Sequence, residues 1–226
     1  QERLAQVARG LERIEFTGGE RPVLDLQVEG DLSDPSLLLG SLRFSCGEFS
    51  VDGASFDTAD LVVDLRNGEI QLRSLEIHEG RRKIVAHGRY GLEDRQARFR
   101  LDSDADLPSL VAGFIKEVGM LGELVFYEPP VVRAEGSWDF SDEPGEQTIF
   151  GGLRCERFAS RGTVFGGGLD FAVSPERVFL RNVRLEHASG NLEFQSLKGP
   201  DGFRYDAVLR MDPAALVPFV LSLIHI

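Results

Sequence analysis

The stretch GASFDTADLVVDLRNGEIQLRSLEIHEG, residues 53–80, decides how this chain folds. Apolar and polar residues alternate in three successive runs, whose apolar members are Leu61, Val63 and Leu65, then Ile70 and Leu72, then Leu75 and Ile77. A period of two places such side chains on one face of a β-strand. Asn67-Gly68, between the first two runs, is the typical two-residue turn of a β-hairpin. The stretch therefore predicts antiparallel strands that share one apolar face.

The stretch recurs in a diverged form at residues 162–190, as GTVFGGGLDFAVSPERVFLRNVRLEHASG. Gly53 and Phe56 correspond to Gly162 and Phe165 at an offset of 109 (162 − 53). Later in the stretch the offset falls by one, to 108, where Leu72 aligns with Leu180 (180 − 72). Self-similarity at a fixed distance identifies the building unit of a repeat protein. We therefore predict structural units of about 108 residues.

At one place in each copy, two apolar residues are three positions apart, whereas alternation along a strand requires two. Between Leu72 and Leu75, and again between Leu180 and Val183, three positions separate apolar residues that must face the same side. An extra residue in one strand restores the facing by forming a β-bulge. The spacing predicts bulges at Ser74 and Asn182.

Composition describes a globular chain with few polar aromatic residues. It is 42% hydrophobic and carries a formal net charge of −12, which disfavours binding to nucleic acid because such surfaces need a basic patch. Phenylalanine (16) far outnumbers tryptophan (1) and tyrosine (3), which favours buried or lipid-facing aromatic positions. The two cysteines, Cys46 and Cys155, lie 109 residues apart (155 − 46) in equivalent places of successive units. We therefore predict two free thiols.

The period changes to 3.6 in three places, which predicts amphipathic helices at residues 2–13, 107–118 and from 212 onward. The middle helix has a continuous apolar stripe made of Leu107, Leu110, Val111, Phe114, Ile115 and Val118. Asp106 and Asp212 are the expected N-caps. Each unit thus combines one short helix with short strands, among them 37–39, 42–44 and 49–51, which Gly40 and Gly47 separate.

The expected organisation is a first unit at residues 1–105 with an incomplete helix, a second at 106–211, and the start of a third at 212–220. The chain begins at Gln1, has no signal peptide or long apolar run, and is expected to be a piece of a longer protein. We interpret residues 221–226, LSLIHI, as read-through of a sequencing adapter; the alternative is that they continue the last helix.

The predicted fold is mainly β: an elongated, curved antiparallel sheet built of the 108-residue units. A parallel β-helix is disfavoured because its coils repeat every 20 residues or so, about a fifth of the period found here. Its polar ladders are also missing from a sequence with three asparagines, Asn67, Asn182 and Asn191. Frequent tight turns favour antiparallel hairpins instead.

Three segments resemble the AsmA-like proteins of the Gram-negative envelope, a family that includes the TamB type. They are VVDLRNGEIQL at 62–72, HGRYGL at 87–92 and DADLPSL at 104–110. The resemblance extends over residues 11–219 and includes no catalytic motif. It implies a sheet rolled into a trough with an apolar floor, usually anchored in the inner membrane by an N-terminal helix. It also implies a role in carrying phospholipids across the periplasm or in maintaining the outer membrane.

Together, the resemblance and the alternation predict a lipid groove that binds phospholipid acyl chains. Its lining residues would be Leu61, Val63, Leu65, Ile70, Leu72, Leu75, Ile77, Ile84, Ala86, Phe99, Leu101, Leu169, Phe171, Val173, Val178, Leu180, Val183, Leu185, Leu192, Phe194, Ala207 and Leu209. The resemblance further implies a periplasmic protein, held at the inner membrane by an anchor missing from this sequence, with other envelope proteins as possible partners.

No motif indicates catalysis. The four histidines are scattered, with His78 and His187 at equivalent repeat positions, so we expect no metal site. The triple glycine at residues 166–168 is not followed by the Lys-Ser/Thr of a phosphate-binding loop, and turns or bulges explain it better. The acidic run at 102–106 lacks the glycine and terminal glutamate of a calcium loop. We expect a non-enzymatic protein without a cofactor.

Two functional classes remain. In one, the apolar face stays open and binds lipid; in the other, it closes on itself as the core of a structural or adhesive β-solenoid. Alternation cannot separate them, because both require one apolar face. The family resemblance favours the first.

Overall fold

The computed structural model describes residues 13–31, 37–51, 53–106, 124–141 and 147–217. These residues are mainly β. In chain order, the strands are β1 (Ile14–Phe16), β2 (Val23–Glu29), β3 (Leu39–Cys46), β4 (Phe49–Val51), β5 (Ala54–Phe56), β6 (Thr58–Arg66), β7 (Glu69–Glu79), β8 (Arg82–Gly91), β9 (Gln96–Ser103), β10 (Leu124–Phe126), β11 (Val131–Asp139), β12 (Thr148–Ser160), β13 (Thr163–Val173), β14 (Val178–His187), β15 (Gly190–Gly199) and β16 (Gly202–Arg210).

Most strands form one large antiparallel sheet. Its order is β16-β15-β14-β13-β12-β11-β9-β8-β7-β6-β3-β2, and β10 pairs with the end of β12 beside this path. Successive strands are neighbours because tight turns join them, which also makes the pairing antiparallel. The order skips β4 and β5, since these strands turn aside and form a three-stranded sheet with β1.

Local backbone features follow the sequence pattern closely. Asn67 and Gly68 have φ values of 51° and 69°, as a type I′ hairpin turn requires, so the predicted turn is confirmed. The β7–β8 register shifts between Leu72 and Leu75, and the β14–β15 register shifts between Leu180 and Val183. Both predicted bulges are therefore confirmed.

One strand pairing near the start of the chain has a counterpart later in the chain. Phe49 lies opposite Phe56, and 109 residues later Phe158 lies opposite Phe165. Strand β1 flanks the first pair of strands, and β10 flanks the second, each through three residue pairs. The segments β3 and β4 correspond to the single long strand β12, whose register is irregular between Cys155 and Phe158.

Two hydrophobic clusters form around these paired phenylalanines. The first contains Cys46, Phe49, Val51, Phe56 and Ala59, and the second contains Cys155, Phe158, Phe165, Leu185, Met211 and Leu216. Burying each phenylalanine contributes about 1.5–3 kcal/mol. Both cysteines are free and buried, one in each cluster, so the prediction of two free thiols is confirmed.

Two sequence predictions need correction or lie outside these residues. The short strands expected at 37–39 and 42–44 are not separate: β3 runs through Gly40, which packs against Leu65 on the neighbouring strand. A helix in each unit is not seen. Residues 2–12 and 107–118 lie outside the described part, and 213–217 is the only α-helical segment within it. Asp212 caps this segment through its carboxylate, which accepts a bond of 2.9 Å from Ala214 N.

Candidate functional site

The pairing register places one row of apolar side chains across the whole large sheet. Directly opposed residues on neighbouring strands project to the same side. From β2 to β16, this row, the first row, comprises Leu24, Phe44, Leu61, Leu75, Ala86, Leu101, Ala134, Gly151, Phe171, Leu180, Ser196 and Tyr205. We call the side of the sheet that carries these residues the apolar face.

A second row runs beside the first on the apolar face. It comprises Leu26, Leu42, Val63, Leu72, Gly88, Phe99, Gly136, Ile149, Val173, Val178, Lys198 and Phe203. Lys198, on β15, is the only charged residue in either row. Two adjacent rows of this kind make a strip of apolar surface perpendicular to the strands.

All of the predicted groove residues lie on the apolar face by this register. Their exposure varies. Ile84, Val183 and Leu185 are buried, with exposed fractions of 2%, 3% and 6%. Val178, Ala207 and Leu209 are exposed, and the others are half-buried. The strip is thus covered in part and accessible in part.

The covered part lies along one margin of the sheet. A third row of opposed residues marks it: Cys46, Ala59, Ile77, Ile84, Ser103, Val132, Leu153 and Leu169. Cys46 and Ala59 belong to the first hydrophobic cluster, which packs against Ile77. Ser103 is buried there, and its hydroxyl donates to Ala105 O over 3.3 Å. In this third row Cys46, Ala59, Ile84 and Ser103 are buried and the other four residues are half-buried, whereas Ser196 is the one buried residue of the first and second rows.

Glycines on the apolar face allow neighbouring strands to approach closely. A Cβ atom added to Gly136 would lie 2.3 Å from Thr148 O, and one added to Gly151 would lie 2.0 Å from Arg133 O. At Gly88 the corresponding distance to Arg98 O is 2.9 Å. Real Cβ atoms do not come this near to a backbone oxygen, so other residues at these positions would push the strands apart.

The opposite face is mainly charged. Asp102 on β9 accepts a hydrogen bond of 3.0 Å from Arg100 Nε and lies 3.5 Å from Arg133 Nε on β11. The hydrogen bond and charge of Asp102 raise the pKa of Arg100 above its ordinary value. Arg73 likewise bonds Asp64 at 2.9 Å. The arginines of these pairs are solvent-exposed, so the charged face is in contact with water.

Side chains of the charged face differ in exposure. Arg73, Arg181 and Arg184 are exposed, whereas Gln71 and Glu76 are half-buried. One apolar strip interrupts the charged face, formed by the opposed residues Phe150, Ala172, Phe179 and Leu197. Arg181 partly covers it, with its guanidinium 4.3 Å from the centre of the Phe179 ring.

Sequence reasoning missed several residues of the apolar face. They are Leu24, Leu26, Leu42, Phe44, Val132, Ala134, Ile149, Leu153, Tyr205 and Phe203. Alternation at residues 23–29 and 131–137 would have identified some of them. Phe203 and Tyr205 have the same signal, because they alternate with Arg204 and Asp206 ahead of the predicted groove residue Ala207.

The described residues contain neither a metal-ligand cluster nor a membrane-spanning helix. Within ranges 13–31, 37–51, 53–106, 124–141 and 147–217, no three His, Cys, Asp or Glu side chains are grouped as metal ligands would be. No helix in that part of the chain has the length and apolarity to cross a membrane. No protein-family model, curated protein or solved structure matches the chain. The candidate site is the apolar face, because it carries two neighbouring rows of apolar side chains across the large sheet.

Proposed function

We propose that the apolar face binds the acyl chains of phospholipids and serves as a non-enzymatic conduit for them. The observation that carries this proposal is the pair of neighbouring apolar rows, half-exposed and nearly free of charge across the sheet. Eleven steps of about 4.8 Å between neighbouring strands give each row a length of about 50 Å. Contiguous apolar surface on this scale marks a binding site in soluble proteins.

The proposal includes the curvature of the sheet and its division into repeated units. We propose that the sheet is curved with the apolar face on the inside, forming a trough. Missing Cβ atoms at Gly88, Gly136 and Gly151 support this curvature, because they reduce the side-chain volume on that face. Matching hairpins around Phe49 and Phe158 support a division into units of about 108 residues.

The physical gain from such a trough is sufficient for binding. Each methylene group removed from water contributes about 0.8 kcal/mol, so burial of about 5–20 methylene groups, as in one or two acyl chains, offsets an association cost of about 4–15 kcal/mol. The charged opposite face keeps the protein in contact with water. Sequence resemblance to AsmA-like proteins extends the proposal to phospholipid transfer or outer-membrane maintenance in the periplasm. An inner-membrane anchor and envelope protein partners would belong to the longer protein.

The test compares two arginine substitutions at adjacent positions on β7. Leu72 lies opposite Val63 and Gly88 on the apolar face, whereas Gln71 lies opposite Asp64 and Arg89 on the charged face. Leu72→Arg and Gln71→Arg are each incubated with a photo-crosslinkable phospholipid, and folding is checked by circular dichroism. We expect Leu72→Arg to fold and lose the crosslink, and Gln71→Arg to retain it.

Two results would contradict the proposal. Equal crosslinking of the two folded variants would show that lipid does not use the apolar face. Failure of Leu72→Arg to fold would instead favour a closed core, because an unpaired charge in a dry interior costs several kcal/mol. The second result would support the structural β-solenoid.

A further inference from the structure

Two arginines face each other on the charged face of the sheet. Arg89 on β8 lies directly opposite Arg98 on β9. Two residues further along these strands, His87 lies opposite Arg100. All four side chains are exposed. Directly opposed side chains have Cβ atoms about 4.5–5.5 Å apart, and like charges in this arrangement destabilise a sheet. The opposed arginines therefore lower the stability of the protein when nothing is bound to them.

Nearby carboxylates do not neutralise the two arginines. Glu69 Oε2 lies 3.8 Å from Arg89 Nη1, which is too long for a hydrogen bond. Arg98 has no ion pair with any residue that the structure describes, so Glu135 on the neighbouring strand is also beyond ion-pair distance. Asp102 already accepts a hydrogen bond from its own strand. Hydrogen-bond donors of both guanidinium groups thus remain available to a ligand.

The row that contains these arginines continues with hydroxyl groups. Arg98 lies opposite Ser137 on β11, and Ser137 lies opposite Thr148 on β12. Serine and threonine carry O–H donors and no charge, so no carboxylate interrupts the row between Arg89 and Thr148. Adjacent donors around a positive charge that lacks a counter-ion are complementary to an anion with several oxygen atoms.

The matching strands later in the chain show that the fold does not require this arrangement. Leu197 takes the place of Arg89: it lies opposite Phe179 as Arg89 lies opposite Gln71, each at an offset of 108 (197 − 89; 179 − 71). The partner of Leu197 on β16 is Arg204. The corresponding pair therefore carries one positive charge instead of two, in strands that pair in the same way.

We propose that Arg89 and Arg98 bind the phosphate group of a ligand, with Ser137 as a further donor. A phosphate monoester has three strong acceptor oxygens, so it can bond both guanidinium groups and a hydroxyl, whereas a carboxylate has two oxygens in one plane. The net charge of −12 repels extended polyanions and favours a small ligand. The site lies on the face opposite the apolar rows, so this proposal does not rest on the proposed function.

Phosphate titration of the full chain tests the site. Inorganic phosphate is added at low ionic strength, where screening is weak, and the arginine Nε–H signals are followed by NMR. We expect the signals of Arg89 and Arg98 to shift together. Arg98→Gln should weaken binding about tenfold, because it removes a charged hydrogen-bond donor. Arg204→Gln is the matched control, since Arg204 takes the place of Arg98, and it should change the dissociation constant by less than about twofold.

Thermal denaturation separates binding from a general effect of charge. Without phosphate, Arg98→Gln should melt at a higher temperature than the wild type, because the like-charge pair is gone. Phosphate should raise the melting temperature of the wild type and of Arg204→Gln but not that of Arg98→Gln. An equal effect of phosphate on all three proteins would overturn the proposal, and so would an equal response of the wild type to acetate.

Vesicles distinguish the two sources of a phosphate group. Phosphatidylcholine vesicles with and without phosphatidylglycerol are sedimented with the wild type and with Arg98→Gln. Binding that requires both phosphatidylglycerol and Arg98 would identify a lipid headgroup. Binding of inorganic phosphate without vesicle binding would identify a soluble phosphate ester. If neither kind of binding occurs, or if Arg98→Gln leaves both unchanged, the proposal is wrong.

Discussion

Val51 and Ser160 occupy the same position in two matching hairpins, 109 residues apart (160 − 51), but only Val51 matches its surroundings chemically. Val51 lies opposite Ala54 and is 3% exposed; Ser160 lies opposite Thr163 and is completely buried. The Ser160 hydroxyl has no hydrogen-bond partner in the part of the chain that the structure describes. A buried polar group without a partner lowers the stability of the fold.

Replacing Ser160 with valine is therefore expected to stabilise the protein. Ser160→Val removes an unpaired hydroxyl and supplies the side chain that the first hairpin has at this place, so the free energy of unfolding should rise by about 1–2 kcal/mol. Urea denaturation followed by circular dichroism measures the change. Ser55→Val, at an exposed position of β5, is the control and should change the value by less than about 0.5 kcal/mol. An unchanged Ser160→Val would mean that water satisfies the hydroxyl.

The two hydrophobic clusters should contribute independently to stability. Phe56 and Phe165 are 2% and 1% exposed, each in a different cluster, and truncating either to alanine should cost about 3–5 kcal/mol. Phe150→Ala, at a position 47% exposed, should cost much less. Because separate sites add, the double variant should equal the sum of the single changes within about 0.5 kcal/mol. A clear departure from additivity would show that the clusters are coupled.

Much of the sheet can be predicted from local sequence because the signals are local. Alternation assigns the groove residues to one face, Asn67-Gly68 specifies a turn, and the three-residue steps at 72–75 and 180–183 specify bulges. Each of these depends on residues close together in the chain. They can therefore be predicted without knowledge of distant contacts.

Other features depend on distant residues and could not be predicted. Gly40 indicates a break between strands, yet β3 continues through it because Gly40 pairs with Val28 on β2 and with Leu65 on β6. No local sequence pattern predicts that β1 pairs with β4 through three residues. How much of the apolar face is buried likewise depends on packing at one margin, around Ile84 and Ser103. Alternation in the sequence does not reveal it.

The buried thiols predict a stability that falls at alkaline pH. Burial raises the pKa of Cys46 and of Cys155, with nearby acidic residues adding to the effect. An unfolded thiol ionises near pH 8.5, whereas the folded thiols hold their protons to higher pH. Their contribution to stability is therefore complete below about pH 8.5 and is lost as pH rises from there through the folded pKa.

Denaturation at a series of pH values from 7 to 10 measures this loss. The double variant Cys46→Ala/Cys155→Ala, though less stable at pH 7, should show a weaker decline above about pH 8.5 than the wild type. Alkylation by iodoacetamide at pH 8 should be slow in the folded protein and fast in urea, because the reactive thiolate is rare in the fold. Parallel declines in wild type and variant would assign the pH dependence to other groups.

The proposed curvature of the sheet makes Gly136 a sensitive position. Its neighbours on the apolar face are Phe99 on β9 and Ile149 on β12, and a Cβ atom there would meet Thr148 O at 2.3 Å and Ile149 Cα at 2.8 Å. Gly136→Val should force β11 and β12 apart. Overpacking of this kind costs about 1–3 kcal/mol, although valine is ordinarily favoured over glycine in a strand.

Ser137→Val provides the matched comparison on the adjacent residue of the same strand. Its side chain projects to the opposite face, across from Arg98 and Thr148, which is the outside of the proposed curve. Thermal denaturation should give a lower melting temperature for Gly136→Val than for wild type, and an equal or higher one for Ser137→Val. If the sheet is instead flat, strand spacing relaxes on both sides alike, and the β propensity of valine should make the two variants equally stable.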